Sequence, residues 1–130
     1  SRISGPLMDR MDLTVQVQPV PPAELSRAPR GEPSAVVAAR VAQARAAQRT
    51  RYGQGLSTNA EAEIGTVEMH ADARTLAEQA AGKLRLSARG FTRVLRVART
   101  IADLAGTATV CRADVAEALA YRHRVPGRGV

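Results

Sequence analysis

The sequence predicts a mainly α-helical fold, a small helical bundle preceded by one β-strand. Hydrophobic residues make up 45% of the chain but aromatic residues only 2%, so Ala, Val, Leu and Ile must build the core. Alanine-rich chains of this kind favour helices, because alanine has the highest helix propensity. A length of 130 residues fits one domain. The most periodic stretch runs from Leu86 to Gly106, and its apolar residues recur at helical spacing: Phe91, Val94, Leu95, Ala98, Ile101, Ala102 and Ala105.

The one predicted strand lies near the start of the sequence. Leu13, Val15 and Val17 alternate with polar residues, and a period of two is typical of a strand. One strand cannot satisfy its own backbone hydrogen bonds, so it must pair with a sheet absent from this sequence or lie irregularly against the helices. Residues 21–33 follow as a proline-rich connector with one turn of helix at 23–25.

The helical part of the chain is expected to span residues 34–122. Helices are predicted over 34–52, 71–85, 87–106 and 112–122. Their inward-facing residues are predicted by helical spacing to be Val37, Val41 and Ala44, then Ala73, Leu76, Ala77, Ala80 and Leu84, and finally Val115, Ala118 and Leu119. Ser87 is placed to cap the third helix and Gly106 to end it, as Gly53 ends the first. Residues 56–65 predict a loop with at most a brief helical segment, and 123–130 a frayed tail.

The charge is strongly basic and almost all of it comes from arginine. The net charge is +7, with Lys83 the only lysine. This balance favours an anionic partner, either nucleic acid or nucleotide phosphate, although arginines on solvated faces give the same composition. The helix over 87–106 carries Arg89, Arg93, Arg96 and Arg99 opposite its apolar stripe, which predicts a basic face.

A search for catalytic motifs gives a negative result. The sequence has no glycine-rich phosphate loop ending in Lys-Ser or Lys-Thr, no paired metal-ligand spacing and no Gly-x-Ser-x-Gly elbow. His70 and His123 lie beside no obvious carboxylate partner, which argues against a catalytic or metal role. The acidic residues Glu61, Glu63 and Glu68 are interpreted as a solvated edge. No complete active site is therefore expected within this sequence.

Cys111 is the single cysteine, which excludes an internal disulfide and favours a reducing compartment. It starts the last predicted helix, where the dipole could stabilise a thiolate, but a buried structural thiol is the preferred interpretation. No apolar run approaches the length of a membrane span and no signal peptide is visible, so a cytoplasmic protein without a membrane partner is expected.

Several motifs, all in register, carry a resemblance to a known family. They are SGPLMDRMD at 4–12, TNA at 58–60, LSARG at 86–90, RVARTIADL at 96–104 and VAEALAYR at 115–122. In this order they resemble the magnesium chelatase-like AAA+ ATPases, and most of all the bacterial branch called ComM or YifB. The stretch from Asn59 to His70 looks shorter than is usual in that family.

The resemblance implies an architecture and a site. Residues 1–20 would be the last strand segment of the ATPase core with the arginine-finger loop, and 34–122 its helical C-terminal lid. Arg10 would be the arginine finger, acting on the nucleotide of a neighbouring subunit, and Arg89 the sensor 2 arginine, which approaches the γ-phosphate. Asp9 and Asp12 would support Arg10, although a local surface salt bridge is the alternative. Arg93, Arg96 and Arg99 receive no role.

The resemblance also implies cofactors and partners. The full-length protein would use ATP and Mg²⁺, with neither bound tightly by this chain, which lacks Walker A and Walker B motifs and should not hydrolyse ATP alone. Its partners would be the rest of the AAA+ core and neighbouring subunits of a homo-oligomeric ring, most simply a hexamer, with DNA as a further candidate.

Three functions stay open at this point. The first is an ATP-driven motor on DNA, of the branch-migration or helicase type associated with natural transformation and recombination. The second is a magnesium chelatase I-type subunit, a motor for inserting magnesium into protoporphyrin. The third is a helical DNA-binding module without nucleotide chemistry.

Overall fold

The structure, a computed structural model, is mainly helical, as predicted. It describes residues 10–17, 19, 21–25, 31–53, 58–63 and 67–123. The helices are α1 (Pro22–Leu25), α2 (Ser34–Tyr52), α3 (Ala71–Lys83), α4 (Ala88–Ala105) and α5 (Arg112–His123), with a 3-10 turn at Asn59–Glu61. The predicted loop with a brief helical segment is this 3-10 turn and its flanks. The predicted tail beyond residue 123 lies outside the described residues.

Helix α4 is the centre of the fold, and both of its predicted boundaries are confirmed. The Ser87 hydroxyl accepts a hydrogen bond from the Gly90 amide at 3.0 Å, which satisfies one of the free donors of the first turn. Gly106 ends the helix in the left-handed conformation, with φ at 79°. Helix α4 contacts α2, α3, α5 and the 3-10 turn.

The core between α3, α4 and α5 is made of small apolar side chains. Its buried members are Val67, Ala73, Ala77, Val94, Leu95, Ala98, Ala102, Val110, Val115 and Ala118. The segments that lead into α3 and α5 are joined by a parallel β-bridge between Met69 and Val110. The Val110 amide donates to the Glu68 carbonyl at 3.0 Å and the His70 amide to the Val110 carbonyl at 2.9 Å. This pairing fixes where both helices begin.

The strand predicted at 13–17 is absent, and the described residues form no sheet. The segment runs along the helices instead, where the Thr14 amide donates to the Tyr121 carbonyl at 3.0 Å. Leu13, Val15 and Val17 stay 53%, 62% and 85% exposed. A pattern of period two becomes a strand only beside another strand, and no described segment offers an edge. The irregular arrangement is thus the one that this chain adopts.

Helix α2 has the predicted length, but its predicted inward face is only half covered. Val37 and Val41 are 41% and 45% exposed, and the buried residues of α2 are Ala44 and Gln48. The N-terminal half of α2 therefore extends past the described body of the domain, because it is the C-terminal half that packs on α4.

Helix α3 ends at Lys83, earlier than the predicted Arg85. Arg85 takes a positive φ of 53°. The Leu86 amide then donates to the Ala81 carbonyl at 3.0 Å, a pattern typical of a helix C-terminus closed by a left-handed residue. An arginine occupies a position that glycine normally favours.

Candidate functional site

Arg89 lies in the first turn of α4, immediately after Ala88 and two residues after the Ser87 cap. Its side chain is exposed, and no hydrogen bond or ion pair joins its guanidinium to another described residue. The free N–H groups and the dipole at a helix start favour an anion at this place. The sequence prediction placed Arg89 here correctly, and the structure leaves its charge available.

Arg93 and Arg96, predicted to belong to a basic face with no assigned use, both hold other segments against α4. Arg93 Nη1 pairs with the Asp12 carboxylate at 2.5 Å. Arg96 Nε donates to the Ala62 carbonyl at 2.8 Å, which holds the loop after the 3-10 turn. Both are structural contacts between distant parts of the sequence.

Arg99 corrects the prediction of a basic face most clearly, because its side chain is 1% exposed. It donates through Nη1 to the Ala108 carbonyl at 2.6 Å and through Nη2 to the Thr107 carbonyl at 2.7 Å. Nη2 also lies 3.0 Å from the Asp103 carboxylate. The two carbonyls and the carboxylate offset the cost of burying the terminal nitrogens of Arg99, whereas its Nε is buried without a hydrogen-bond partner among the described residues. Arg99 thus fixes the loop that links α4 to α5.

Asp103 is the centre of a buried polar cluster that sequence reasoning missed. Its carboxylate is 1% exposed and accepts hydrogen bonds from both terminal nitrogens of Arg51, at 3.1 Å and 2.5 Å. It also pairs with Arg99, as described above. The hydrogen bonds to Asp103 raise the pKa of Arg51. The sequence did contain a signal for one of these ion pairs, because Arg99 and Asp103 are four residues apart and such side chains lie next to each other on a helix.

Asn59 extends this cluster to the 3-10 turn. Its Nδ2 donates to Asp103 at 2.9 Å and to the Thr100 hydroxyl at 3.0 Å. Its Oδ1 accepts from Arg51 at 3.2 Å and from the Tyr52 hydroxyl at 2.5 Å. Its amide donates to the Gln48 side chain at 2.8 Å. Asn59 therefore cross-links α2, the 3-10 turn and α4.

The Arg10 loop is held to the helical body, but the Arg10 side chain is not. Arg10 is exposed and forms no bond with another described residue. The Met11 carbonyl accepts a hydrogen bond from Arg122 Nη1 at 2.6 Å. The Asp12 carboxylate pairs with Arg93, and no described bond joins it to Arg10. Asp12 instead positions the loop.

Asp9, the other predicted support, lies outside the described residues. The structure thus places Arg10 and Arg89 as two exposed arginines on segments that are both packed on the same helical body. Each of the two side chains extends into solvent from a backbone segment that other contacts hold in place.

The remaining candidates do not form a chemical site among the residues described. The Cys111 thiol lies 3.1 Å from the Asp114 carboxylate, and this hydrogen bond raises the pKa of Cys111, which disfavours a reactive thiolate. His70 is exposed at the start of α3, and the side chain of His123 is not described. Within the described part of the chain, no three His, Cys, Asp or Glu side chains could hold a metal ion together.

Comparison with known sequences places the chain in a family. Residues 31–122 match the family described as "Magnesium chelatase, subunit ChlI C-terminal". Because this match covers more than half of the 130 residues, the chain belongs to that family.

Individual relatives match over almost the whole chain. Competence protein ComM of Haemophilus influenzae is 37% identical over 96% of this chain and 25% of its own length. Two proteins called YifB, from Salmonella typhimurium and Escherichia coli, are 39% and 36% identical over 94% of this chain and 24% of their own lengths. The predicted resemblance to ComM and YifB is confirmed. The chain spans about a quarter of the length of these relatives.

Within the described residues, no helix is both long enough and apolar enough to cross a bilayer.

Proposed function

We propose that this chain is the nucleotide-sensing lid region of an AAA+ ATPase, with residues 34–122 as the lid and 21–33 as its connector. Family membership supports the ATPase assignment. The observation that supports this site is a difference between the arginines of α4. Arg93, Arg96 and Arg99 are engaged by other parts of the chain, whereas Arg89 is exposed and has no bond to a described residue.

Arg89 acts as the sensor 2 arginine in this proposal. A guanidinium stays protonated at any physiological pH, and its planar fork can hydrogen-bond two phosphate oxygens at once. A cation in a first turn is mildly unfavourable for a helix by itself, because the helix dipole places positive charge there. Arg89 is accordingly placed for a ligand rather than for the stability of α4.

Arg10 acts as the arginine finger. Phosphoryl transfer places charge on the equatorial oxygens in the transition state, and an arginine supplied there contributes roughly 10³- to 10⁵-fold in rate. A finger that reaches a neighbour's nucleotide requires a ring of subunits, so a homo-oligomer, most simply a hexamer, is part of the proposal. Asp12 contributes by holding the Arg10 loop on Arg93 at 2.5 Å.

The segment 1–20 forms the edge of the ATPase core in this proposal. Leu13, Val15 and Val17 are exposed here, and their backbone lacks a strand partner among the described residues. Both features fit a strand whose sheet is supplied by the preceding part of a longer protein. The rest of the AAA+ core is therefore the first partner that we propose.

The full-length protein is proposed to use ATP and Mg²⁺. An exposed guanidinium at a helix start fits a triphosphate group, because both the charge and the free N–H donors favour an anion. Bound MgATP supplies the phosphoryl group that is transferred to water. In this proposal the chain contributes by binding and orienting the phosphates through Arg89 and Arg10. We place the protein in the cytoplasm, in keeping with its single cysteine.

Work on DNA is the preferred activity of the full-length protein. The name of the Haemophilus relative, a competence protein, favours a branch-migration or helicase motor in natural transformation and recombination. The family description favours the alternative of a magnesium chelatase subunit acting on protoporphyrin. Helix α2 has no acidic residue and carries two exposed arginines, Arg45 and Arg49, besides Arg40, which pairs with Glu32. This basic surface favours the third candidate, a DNA-binding module.

The site is tested by Arg89→Ala in the full-length protein, with Arg74→Ala on an exposed face of α3 as the matched control. Loss of a transition-state donor costs roughly 10²- to 10³-fold in kcat, so that is the expected fall for Arg89→Ala. Normal turnover in a folded Arg89→Ala protein would remove the sensor assignment. Turnover stimulated by branched DNA supports the DNA motor, and magnesium insertion into protoporphyrin supports the chelatase. Salt-sensitive DNA binding without any ATP hydrolysis supports the binding module.

A further inference from the structure

We infer that Arg122 is a positioning residue that couples the Arg10 loop to the first turn of α4, which carries Arg89. The inference rests on the proposed function, because it assigns a role to Arg122 through those two arginines. Arg122 lies near the end of α5, far from both in sequence. Nothing in the pattern of the last helix distinguishes it from a surface arginine.

One side of the Arg122 guanidinium holds the Arg10 loop. Its Nη1 donates to the Met11 carbonyl at 2.6 Å, across 111 positions of sequence. Met11 directly follows Arg10, so this bond fixes the backbone next to the proposed finger. A hydrogen bond from a charged donor is stronger than one between neutral groups.

The other side of the same guanidinium lies on the backbone of Gly90. A Cβ atom at Gly90 would come within 2.9 Å of Arg122 Nη2 and 3.6 Å of its Cζ. Gly90 directly follows Arg89 and is buried in the first turn of α4. Its φ is not among the positive values of this chain, so backbone conformation does not require glycine here. An alanine Cβ would instead meet the flexible end of the Arg122 side chain, which would have to shift.

Two further contacts hold the same segment after Arg10. The Asp12 carboxylate pairs with Arg93 at 2.5 Å, and the Thr14 amide donates to the Tyr121 carbonyl at 3.0 Å. Arg93 lies one turn beyond Arg89 on α4, and Tyr121 precedes Arg122. The loop is thus tied to α4 and α5 at Met11, Asp12 and Thr14. Arg93 joins the two arginine-bearing segments one turn beyond Arg89, whereas Arg122 lies against the residue next to each of the two arginines.

The consequence is mechanical. Arg10 and Arg89 are each one residue away from a group that contacts the Arg122 guanidinium, so a displacement of either backbone changes the position of the other. Catalytic groups must be held within about 0.5 Å of their productive geometry. A misplacement of about 1 Å costs roughly 10²-fold in rate. Arg122 therefore controls kcat without contacting the nucleotide.

The test uses the full-length ATPase with four variants. Arg122→Ala removes both contacts, Arg122→Lys keeps one charged donor, and Gly90→Ala pushes the guanidinium aside. Arg112→Ala, an exposed arginine on the same helix, is the control. Arg122→Ala is expected to lower kcat by roughly 10²-fold with little change in KM, and Arg122→Lys to recover part of that loss. Arg112→Ala is expected to behave as wild type.

Gly90→Ala separates positioning from stability. The atom that it displaces is the flexible end of an arginine, and alanine is favoured over glycine within helices by up to about 1 kcal/mol. The protein is therefore expected to unfold at the same or a higher temperature while kcat falls. A residue with a merely structural role cannot give lower turnover together with unchanged stability. If Arg122→Ala does not fold, Gly90→Ala still decides the question.

A double-mutant cycle with Arg10→Ala completes the test. If Arg122 acts through Arg10, the loss caused by Arg122→Ala is smaller in the Arg10→Ala background than in the wild type, because the part exerted through Arg10 is already lost and only the part exerted through Arg89 remains. If the losses in kcat from Arg10→Ala and Arg122→Ala simply multiply in the double variant, the inference is overturned. Normal kcat in both Arg122→Ala and Gly90→Ala, while Arg10→Ala and Arg89→Ala are inactive, would also overturn it. That last outcome leaves the proposed function standing. Normal turnover in Arg10→Ala and Arg89→Ala would instead overturn the proposed function itself.

Discussion

Removal of the Asp103 carboxylate is predicted to be the most damaging single change to the helical body. The carboxylate is 1% exposed, pairs with Arg51 through both oxygens, and lies 3.0 Å from Arg99, which is itself 1% exposed. In Asp103→Ala, Arg99 would keep a buried charge without a carboxylate, and Asn59 would lose an acceptor at 2.9 Å. Breaking a buried pair in this way costs about 3–5 kcal/mol.

The expected loss is large compared with the total free energy of unfolding. A domain of this size has a free energy of unfolding of about 5–15 kcal/mol, so Asp103→Ala removes a third or more in most cases. A chain of 130 residues lies between the sizes for which each kcal/mol shifts the midpoint of thermal unfolding by about 4–8 °C and by about 2–4 °C, so at roughly 3–4 °C for each kcal/mol that midpoint should fall by about 9 °C or more. Asp103→Asn should lie between wild type and Asp103→Ala, because it keeps an acceptor oxygen but loses the charge.

The assay is urea unfolding of the 130-residue chain followed by circular dichroism, with thermal unfolding as a second probe. Glu78→Ala, an exposed carboxylate on α3, is the matched control, since it also removes one negative charge. A surface change of this kind is expected to stay within about 0.5 kcal/mol of wild type. If Asp103→Ala is no less stable than Glu78→Ala, the buried cluster does not stabilise the fold as described.

Two further predictions concern local stability and thiol chemistry. Arg85→Gly should raise the free energy of unfolding by about 1 kcal/mol, because the φ of 53° at Arg85 is unfavourable for any residue other than glycine. Lys83→Gly, at the end of the preceding helix, should lower the free energy of unfolding. Equal destabilisation by the two substitutions would contradict this prediction. Iodoacetamide should modify Cys111 more slowly than a free thiol at mildly alkaline pH, because the hydrogen bond to Asp114 raises the pKa of Cys111 and keeps the thiol protonated. The stability that this hydrogen bond contributes is present below the ordinary pKa of a cysteine and is lost as pH rises from that value through the raised pKa. Asp114→Asn should speed the reaction, and an unchanged pH profile would refute the role of Asp114.

Helix α4 was predictable because three local signals agreed. The apolar period, the Ser87 cap and Gly106 all lie within one stretch of sequence, and the structure confirms each of them. The starts of α2 and α3 were also predicted correctly, although neither helix begins with a side-chain cap. The end of α3 was not, because an arginine at Arg85 gives no glycine signal for the left-handed turn that closes the helix.

Contacts between distant segments were not predictable from periodicity. The pattern of α2 places Val37 and Val41 on its apolar face, but only tertiary packing determines which half of that face is covered. Arg99 fits an exposed row by spacing, yet the carbonyls that bury it belong to the loop after α4. The strand pattern at 13–17 needs a neighbouring strand that no described segment provides.

The two arginines of the candidate site came from the family resemblance rather than from any local rule. The structure adds that neither side chain forms a hydrogen bond or ion pair with another described residue. It also shows which contacts hold the two backbone segments in place. The pairing of Asp12 with Arg93 and that of Met11 with Arg122 had no signal in the sequence, since the partners are 81 and 111 positions apart. Such pairs become visible only in the folded chain.

The central claim, that Arg89 contacts the γ-phosphate, is tested most directly by the ratio of ATP to ADP affinity in the full-length protein. A hydrogen bond to a charged group contributes about 1.5–3 kcal/mol, which corresponds to roughly 10- to 100-fold in affinity. Arg89→Ala should therefore weaken ATP binding by at least about tenfold and leave ADP binding unchanged, while Arg74→Ala changes neither. An unchanged ratio of ATP to ADP affinity in Arg89→Ala would contradict the account.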